Sequence, residues 1–503
     1  MKARLWFHGA AQEVTGSMHL IQHNGRTVAL DCGLFQGRRK EADAKNRSFP
    51  RPSGRIEAVV LSHAHVDHCG KLPRLVQAGF SGPIYATPAT CDLARILLAD
   101  SAHIQEEDAA YWNKKRVRRG DAPIQPLYTQ EDVDNTVRLL QPKRLGETFD
   151  VAPDMRVTLH EAGHMLGSAG VLLEIANGRR EPSVYGTDLP AGDPVGPAFQ
   201  PVIGQPTGSK AGPTRAVVRI VFTGDLGRPG LAILRDPAPL PRCDYLICES
   251  TYGGRQTPGN EDMAEQLAAV INATVERGGK VIIPAFAVGR TQVIVYHFHR
   301  LVDEGRIPRH PPLIVDSPLA ARATEVFRNH PEVYDLEASI WRRMTGDLFQ
   351  CTGCEYTRSV EESKALHRRK EPMIIVSASG MCETGRILHH LKNNLEDHRN
   401  TILIVGYQAA YTLGRRLVEK QKQVRIFGEM YEVRAQVKVL NGFSAHANAA
   451  ELADCTAPLA GLVRKAFLVH GEPDQAQTLA AAMRERGFAE VLIPQAGQVF
   501  EIG

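Results

Sequence analysis

The chain has 503 residues, 43% of them hydrophobic, with 60 lysines and arginines against 56 aspartates and glutamates for a net charge of +4. That length exceeds what one hydrophobic core ordinarily serves, so two or more domains are expected. The composition excludes intrinsic disorder, the near balance of charge excludes a globally basic nucleic-acid binder, and no apolar run is long enough to cross a bilayer. The start, Met1-Lys-Ala-Arg-Leu-Trp-Phe-His-Gly9, lacks the apolar segment of a signal peptide, so a cytoplasmic protein is expected. Nine scattered cysteines do not form a disulfide framework; reduced, mostly buried thiols are expected for all nine, Cys351-Thr-Gly-Cys354 being the one close pair.

Short apolar runs alternate with glycine turns through the first sixty residues, as in 27–30 before Asp31-Cys-Gly33. The run 56–61 reads as a buried strand, and Ser62-His63-Ala64-His65-Val66-Asp67-His68 follows at once. Residues 91–115 have helical spacing and end in the basic run Lys114-Lys-Arg-Val-Arg-Arg119. Strands are predicted over 157–160, 171–175 and 217–221. Between the last two, 177–214 is rich in Gly and Pro without periodicity, which predicts a mobile insertion in a hairpin with no assignable function. Beyond Glu261 helices (263–277, 291–304) alternate with strands (280–284, 313–316). Later strands at 373–376 and 401–405 each precede a Gly-rich turn, the rhythm of a parallel sheet with helices packed on it.

Three imidazoles and a carboxylate packed into 63–68 are too dense for a fold to tolerate without metal, and these donors suit zinc or manganese. On a loop leaving a strand, His63 and His65 would serve one ion while Asp67 and His68 reach a second. His164, Asp225, Asp31 and His470 also fall at or near predicted strand ends, where sheet proteins build sites. Asp31 reads equally as a ligand or as a turn cap. The basic clusters 114–119, Arg342-Arg343, 367–370 and Arg415-Arg416 read either as solvated helix faces or as phosphate contacts lining a channel. In Ser377-Ala-Ser-Gly-Met-Cys382 a strand runs into a turn before a helix, an arrangement that cradles phosphate, with Ser379 and Gly380 as candidates. Arg290 after Gly289 is a similar candidate. A purely structural helix-entry turn is the alternative for both.

His63-x-His-x-Asp-His68, with His164, Asp225 and Asp31, resembles the motif set of the metallo-β-lactamase superfamily. Glu249 in Cys248-Glu-Ser-Thr-Tyr-Gly253, His446 in Gly442-Phe-Ser-Ala-His-Ala447, and His470 resemble the further motifs of its β-CASP branch. That branch comprises RNA- and DNA-processing nucleases, among them the mRNA 3′-end endonuclease subunit, and this chain is most similar to its compact bacterial type. The resemblance implies an α/β fold: a four-layer αββα metallo-β-lactamase domain from 1–252 and 441–503, with a β-CASP α/β domain inserted over 253–440. Substrate would thread the groove between them. It also implies two zinc ions, one held by His63, His65, His164 and a bridging Asp225, the other by Asp67, His68, Asp225 and His470. Manganese suits the same donors.

By the same resemblance Asp31 acts from behind the ligands, Asp67 holds the attacking water in line, and His446 protonates the leaving ribose oxygen or steadies the phosphate. Glu249 then fixes the His446 tautomer and favours its charged form. The family's DNA-repair members carry an aliphatic residue where this chain has His470, so the implied substrate is single-stranded RNA. Some action on single-stranded DNA stays open, because a 2′-hydroxyl is not required. Expected products carry 5′-phosphate and 3′-hydroxyl ends. An endonuclease is expected, with a 5′-to-3′ exoribonuclease or an inactive RNA-binding homologue as alternatives. The inserted domain disfavours a small-molecule hydrolase, and a homodimer is left open.

Overall fold

Burial alternates along the strand Ala3–Gly9, with Ala3, Leu5 and Phe7 inward, which commits one face to a core. This strand belongs to a seven-stranded sheet ordered Val499–Ile502, Ala3–Gly9, Met18–His23, Arg26–Leu30, Ile56–Val60, Ile84–Ala86, Leu140–Pro142. A second seven-stranded sheet runs Val491–Leu492, Lys465–Val469, Tyr245–Glu249, Val217–Phe222, Ala169–Ala176, Met155–Glu161, Thr148–Ala152. The two pack face to face: Leu5, Phe7, Val28, Leu30 and Val60 of the first meet Val157, Leu173, Ile220, Ile247 and Phe467 of the second. Helices cover the outer faces. Leu93, Ala94 and Leu98 of the helix Pro88–Val117 pack with Ala29 and Val59. Leu452 of Ala449–Thr456 and Leu479 and Met483 of Pro473–Glu485 pack with Val221, Leu246 and Leu468. The result is the four-layer αββα sandwich the motifs implied.

A third, six-stranded sheet is wholly parallel, in the order Cys354–Tyr356, Leu313–Val315, Ile374–Ser377, Val281–Pro284, Thr401–Ile404, Gln436–Val439. All of it lies in sequence between Tyr245–Glu249 and Lys465–Val469, which are parallel neighbours in the second sheet. The α/β unit is thus inserted between two adjacent strands of the sandwich. Its entry and exit lie at the same sheet edge as Glu249 and His470.

The computed structural model describes residues 2–503 apart from 38, 50–54, 119, 177–216, 257–262, 310, 407, 410, 441 and 443. The strands flanking 177–214 pair antiparallel, Val217 opposite Ala176, so they do form a hairpin; the predicted insertion itself lies outside the described residues. The predicted helix 91–115 is longer than expected, because Thr87 caps it by accepting the Thr90 N–H and Pro88 opens its first turn. No helix among the described residues is long and apolar enough to cross a membrane. The expectation of nine reduced thiols fails at one pair. The turn Cys351-Thr-Gly-Cys354 brings two Cα atoms to 5.2 Å and the residues are joined as a disulfide, leaving seven free cysteines.

Candidate metal centre

Most sequence-predicted ligands leave the carboxyl end of a strand of the sandwich or the loop just after it, while Asp67 and His68 sit on the one-turn helix Val66–Cys69 that follows His63 and His65. Asp31 follows Arg26–Leu30, His63 follows Ile56–Val60, His164 follows Met155–Glu161, Asp225 follows Val217–Phe222 and His470 follows Lys465–Val469. The loops can interlock only because of small residues. A Cβ on Gly227 would lie 1.9 Å from the Gly163 carbonyl oxygen, and one on Gly33 would lie 1.6 Å from that of Asp67. Asp31 and His470 themselves hold left-handed backbone, φ +60° and +53°, a conformation non-glycine residues adopt at a cost.

Asp225 is the centre. Its Oδ2 lies 3.5 Å from His63 Nε2 and 3.6 Å from His164 Nε2, while Oδ1 lies 3.3 Å from His68 Nε2 and 3.4 Å from His470 Nδ1. His65 Nδ1 is 3.1 Å from His63 Nε2 and 3.3 Å from His164 Nε2. Asp67 Oδ2 is 3.6 Å from His470 Nε2, which is 3.0 Å from His68 Nε2. Two donor sets result, His63–His65–His164–Asp225 and Asp67–His68–His470, each with its ligand atoms within 4.8 Å of one another. Asp225, Glu249 and His470 form a third such set, so Glu249 is also placed where it could donate.

The electrostatics fit a cation. Burial, and then neighbouring His68, push the His63 imidazole well below its ordinary value; burial takes His65 down to about 4 and lowers His164 too. His63, His65 and His164 are therefore neutral and present nitrogen lone pairs to one another, whereas Asp225 and Asp31 outweigh burial at His68 and raise it well above its ordinary value. Burial opposes ionisation of Asp225 and Asp67, but the surrounding histidines outweigh it, holding Asp225 well below the carboxylate range and Asp67 at about 2. Asp225 Oδ1 is buried with no hydrogen-bond partner among the described residues. A carboxylate orphaned among inward-facing imidazoles is the donor chemistry that a divalent ion satisfies.

Behind the donors sits a supporting layer. Asp31 is fully buried and accepts from Ser62 N at 2.7 Å, Ser62 Oγ at 2.9 Å and Ser17 Oγ at 3.2 Å. Its Oδ2 is 2.7 Å from His68 Nδ1, which leaves Nε2 of that ring facing the cluster. Asp31 is in none of the donor sets found among the described residues. Ser62 Oγ lies 3.0 Å from His63 Nδ1, and Thr251 Oγ1 lies 3.1 Å from His470 Nδ1 while donating to the His470 carbonyl at 2.8 Å. Ser62 and Thr251 were missed in the sequence, although each sits inside a motif, beside His63 and two positions after Glu249.

His446 joins the cluster from the far end of the chain. Its segment pairs with the one after Asp225: Gly227 bridges His446, Ala447 N donates to Leu226 O, and Arg228 N donates to Ala445 O. Buried Arg228 then donates through Nε to Glu451 at 3.1 Å. Glu249, fully buried, accepts from Leu226 N at 2.5 Å and lies 3.5 Å from His446 Nδ1, an ion-pair distance rather than a formed hydrogen bond. Burial would lower the His446 pKa, but Glu249 and, behind it, Asp225 raise it to about 9.

The two Gly-rich turns lie at the carboxyl edge of the parallel sheet, and they touch: a Cβ on Gly380 would lie 3.0 Å from Phe286. Arg290, after the second turn, interacts with Tyr252, whose ring is 5.5 Å from that of His446. Ser379 Oγ accepts from Glu383 N at 3.2 Å, bracing its own turn, and Arg290 Nη1 donates to the Val405 carbonyl. The helix after the first turn starts only at Ile387.

An αββα sandwich with this histidine–carboxylate cluster at its strand ends defines a metallo-hydrolase. Residues 11–180 match the metallo-beta-lactamase superfamily, 291–417 the Beta-Casp domain, and 430–494 the Zn-dependent metallo-hydrolase RNA specificity domain. Ribonuclease TTHA0252 of Thermus thermophilus is 34% identical, over 97% of this chain and 98% of that protein. Transcription termination factor FttA is 30% identical in Pyrococcus horikoshii (95% of this chain, 68% of that protein) and in Methanothermobacter thermautotrophicus (96% and 69%). A solved protein of unknown function from Enterococcus faecalis V583 shares the fold over the full length of both chains, with a TM-score of 0.52 and 13% identity. The chain belongs to the β-CASP branch of the metallo-β-lactamase superfamily and is a metal-dependent hydrolase of its nuclease family.

Proposed function

We propose that this protein is a zinc-dependent endoribonuclease that hydrolyses phosphodiester bonds of single-stranded RNA and leaves 5′-phosphate and 3′-hydroxyl ends. The observation that carries the reading is Asp225, whose two oxygens face two separate sets of imidazoles. The names of the matched RNA specificity domain and of the Thermus ribonuclease support RNA as the substrate. Residues 1–252 and 441–503 are taken as the metallo-β-lactamase domain and 253–440 as the β-CASP domain.

In this reading His63, His65, His164 and Asp225 hold one zinc and Asp67, His68, Asp225 and His470 the other. Bound there, the ions supply Lewis acidity toward the phosphoryl oxygens and an acidified water. The residues do the rest. Asp67, ionised at neutral pH, accepts a hydrogen bond from the attacking water and aims it in line with the scissile bond. His446, protonated at neutral pH, lies beside His164 with its Nδ1 4.0 Å from Asp225 Oδ2 and gives its proton to the departing ribose 3′ oxygen. Glu249 keeps that imidazole charged, and Asp31 and Thr251 hold His68 and His470 in place. Ser379, Gly380 and Arg290 are proposed as contacts to a more distant phosphate.

The test uses zinc-loaded protein on circular and linear forms of one single-stranded RNA, beside an Asp67→Asn variant. Cutting of the circle to a 5′-phosphorylated product, absent in the variant, is the expected result. Loss of the linear form alone would replace the endonuclease with a 5′-to-3′ exonuclease. An RNA left intact in every metal tried, manganese included, would overturn the ribonuclease reading.

A further inference from the structure

The helix Pro88–Val117 is 30 residues long, about 45 Å at 1.5 Å per residue. Its start is fastened to the metal centre: Thr87 and Thr90 hydroxyls donate to the Gly167 carbonyl at 2.6 and 2.8 Å, in the turn that carries His164. Its middle is fastened to the inserted unit, where Asp100 pairs with Arg322 at 3.1 Å and Asp92 with His330 at 2.9 Å. Past Ala102 only Ala109 is buried: the last four turns lay one face against residues 122–130, with Gln105 accepting from Leu127 N at 3.1 Å, and leave the rest of their surface exposed.

The exposed end has a composition of its own. Residues 109–118 contain no acid, while Lys114, Lys115, Arg116 and Arg118 are all cations. Glu106, Glu107 and Asp108 mark where this basic stretch begins. Two large rings share it: Tyr111 is 52% exposed and Trp112 38%, edge to face with centroids 5.6 Å apart. Lys115 Nζ sits 4.4 Å from the Tyr111 centroid and 5.2 Å from that of Trp112. The end is braced rather than frayed. Asn113 exchanges two hydrogen bonds with the Ile124 backbone, at 2.8 and 2.9 Å, and Arg116 Nε donates to Ala122 O at 2.7 Å. Lys114 and Arg118 are exposed and have no ion-pair partner among the described residues.

We infer that this helix end is a second binding surface for single-stranded RNA, resting on the ribonuclease reading above: Tyr111 and Trp112 stack on bases while Lys114, Lys115 and Arg118 neutralise phosphates. Lys115 Nζ also donates to the Tyr111 hydroxyl at 2.6 Å, but no acid among the described residues neutralises Lys114, Lys115 or Arg118. Exposed rings interleaved with cations that no acid neutralises are the means by which proteins hold single strands without reading sequence, and the charge complements a polyanion better than an apolar peptide. Tyr111 lies roughly 35 Å along the helix from Pro88, about ten nucleotides at the ~3.4 Å spacing of a stacked strand. Only an RNA longer than that reaches both places at once, so the surface favours long substrates over short ones.

The experiment measures binding of the zinc-loaded full chain, by fluorescence anisotropy, to hydrolysis-resistant phosphorothioate uridylates about six and about thirty nucleotides long. Cleavage of the ordinary RNAs is followed in parallel. Tyr111→Ala/Trp112→Ala is expected to weaken binding of the long probe about tenfold or more while leaving binding of the short probe and its cleavage unchanged. Tyr111→Phe/Trp112→Phe, which keeps the stacking faces, should bind as wild type. Lys114→Ala/Lys115→Ala/Arg118→Ala should reduce the salt slope of long-probe binding by about 2. Long-probe binding unchanged in the alanine variants would overturn the inference and leave the exposed rings to a protein partner. A wild-type chain that binds the long probe through these residues yet cleaves no RNA would uphold the surface and sink the ribonuclease reading. Failure to bind either probe would overturn both.

Discussion

Asp316 offers a sharp test of how the inserted unit is held together. It follows the strand Leu313–Val315, is fully buried, and accepts hydrogen bonds from Ser363 Oγ at 2.6 Å, Arg386 Nη1 at 2.7 Å, His390 Nε2 at 2.6 Å and Thr357 Oγ1. Its carbonyl accepts from Ser377 Oγ at 2.9 Å, at the root of the Ser379–Gly380 turn. Burial alone would raise the carboxyl pKa, but His390, Ser363, Thr357 and Arg386 hold it well below the usual range. Removing the carboxylate in Asp316→Ala strands a guanidinium, a buried imidazole N–H and two hydroxyls. Breaking such a buried network costs about 3–5 kcal/mol, and a unit of this size loses about 2–4 °C of Tm per kcal/mol, so a fall of roughly 10 °C is expected by circular dichroism. Asp316→Asn, which keeps the volume and loses the charge, should fall between. Because the folded pKa is depressed, this stabilisation is present above the unfolded pKa of about 4 and is lost as pH falls through the lower folded value. The gap between wild type and Asp316→Ala should therefore be full at neutral pH and shrink below pH ~4. A variant melting within about 2 °C of wild type at neutral pH, or a gap indifferent to pH, would refute the reasoning.

Three further predictions concern the site and the thiols. His446→Asn should lower kcat on RNA by about 10²–10⁴ with KM little changed, read by initial-rate kinetics; an equal loss in KM would assign it to substrate binding instead. Arg228→Met removes the buried cation that anchors the His446 segment to Glu451, and should cost about 2–4 kcal/mol in urea unfolding, less than a fully buried pair because Glu451 is partly exposed. Thiol titration of unfolded, unreduced protein should count seven free cysteines, rising to nine on reduction; nine at the outset would contradict the Cys351–Cys354 bond.

The metal centre was legible because its densest part is local. His63, His65, Asp67 and His68 lie within six positions, and a fold has no other use for so many donors on one loop. His164, Asp225 and His470 could be added because each ends an apolar run, and parallel strands deliver their ends to one edge. The supporting residues left no such signal. Arg228 and Glu451 are 223 positions apart, and Asp316 draws partners from 357, 363, 386 and 390, so each is an ordinary polar residue until the chain is folded. The start of the long helix was misplaced by three residues because Thr87 and Pro88 carry a cap signal that outranks apolar spacing. Cys351-Thr-Gly-Cys354 was read as reduced thiols from the overall cysteine pattern, and the local turn geometry decides otherwise.

Metal content and RNA cleavage measured together on wild type and Asp225→Ala test the central claim most directly. The account predicts that the wild-type chain retains two zinc ions after dialysis and cuts single-stranded RNA. The variant, without the carboxylate that faces both donor sets, should remain folded by circular dichroism, lose zinc and lose cleavage together. A folded Asp225→Ala protein that still cuts RNA at the wild-type rate, or a wild-type protein equally active after exhaustive chelation, would contradict it.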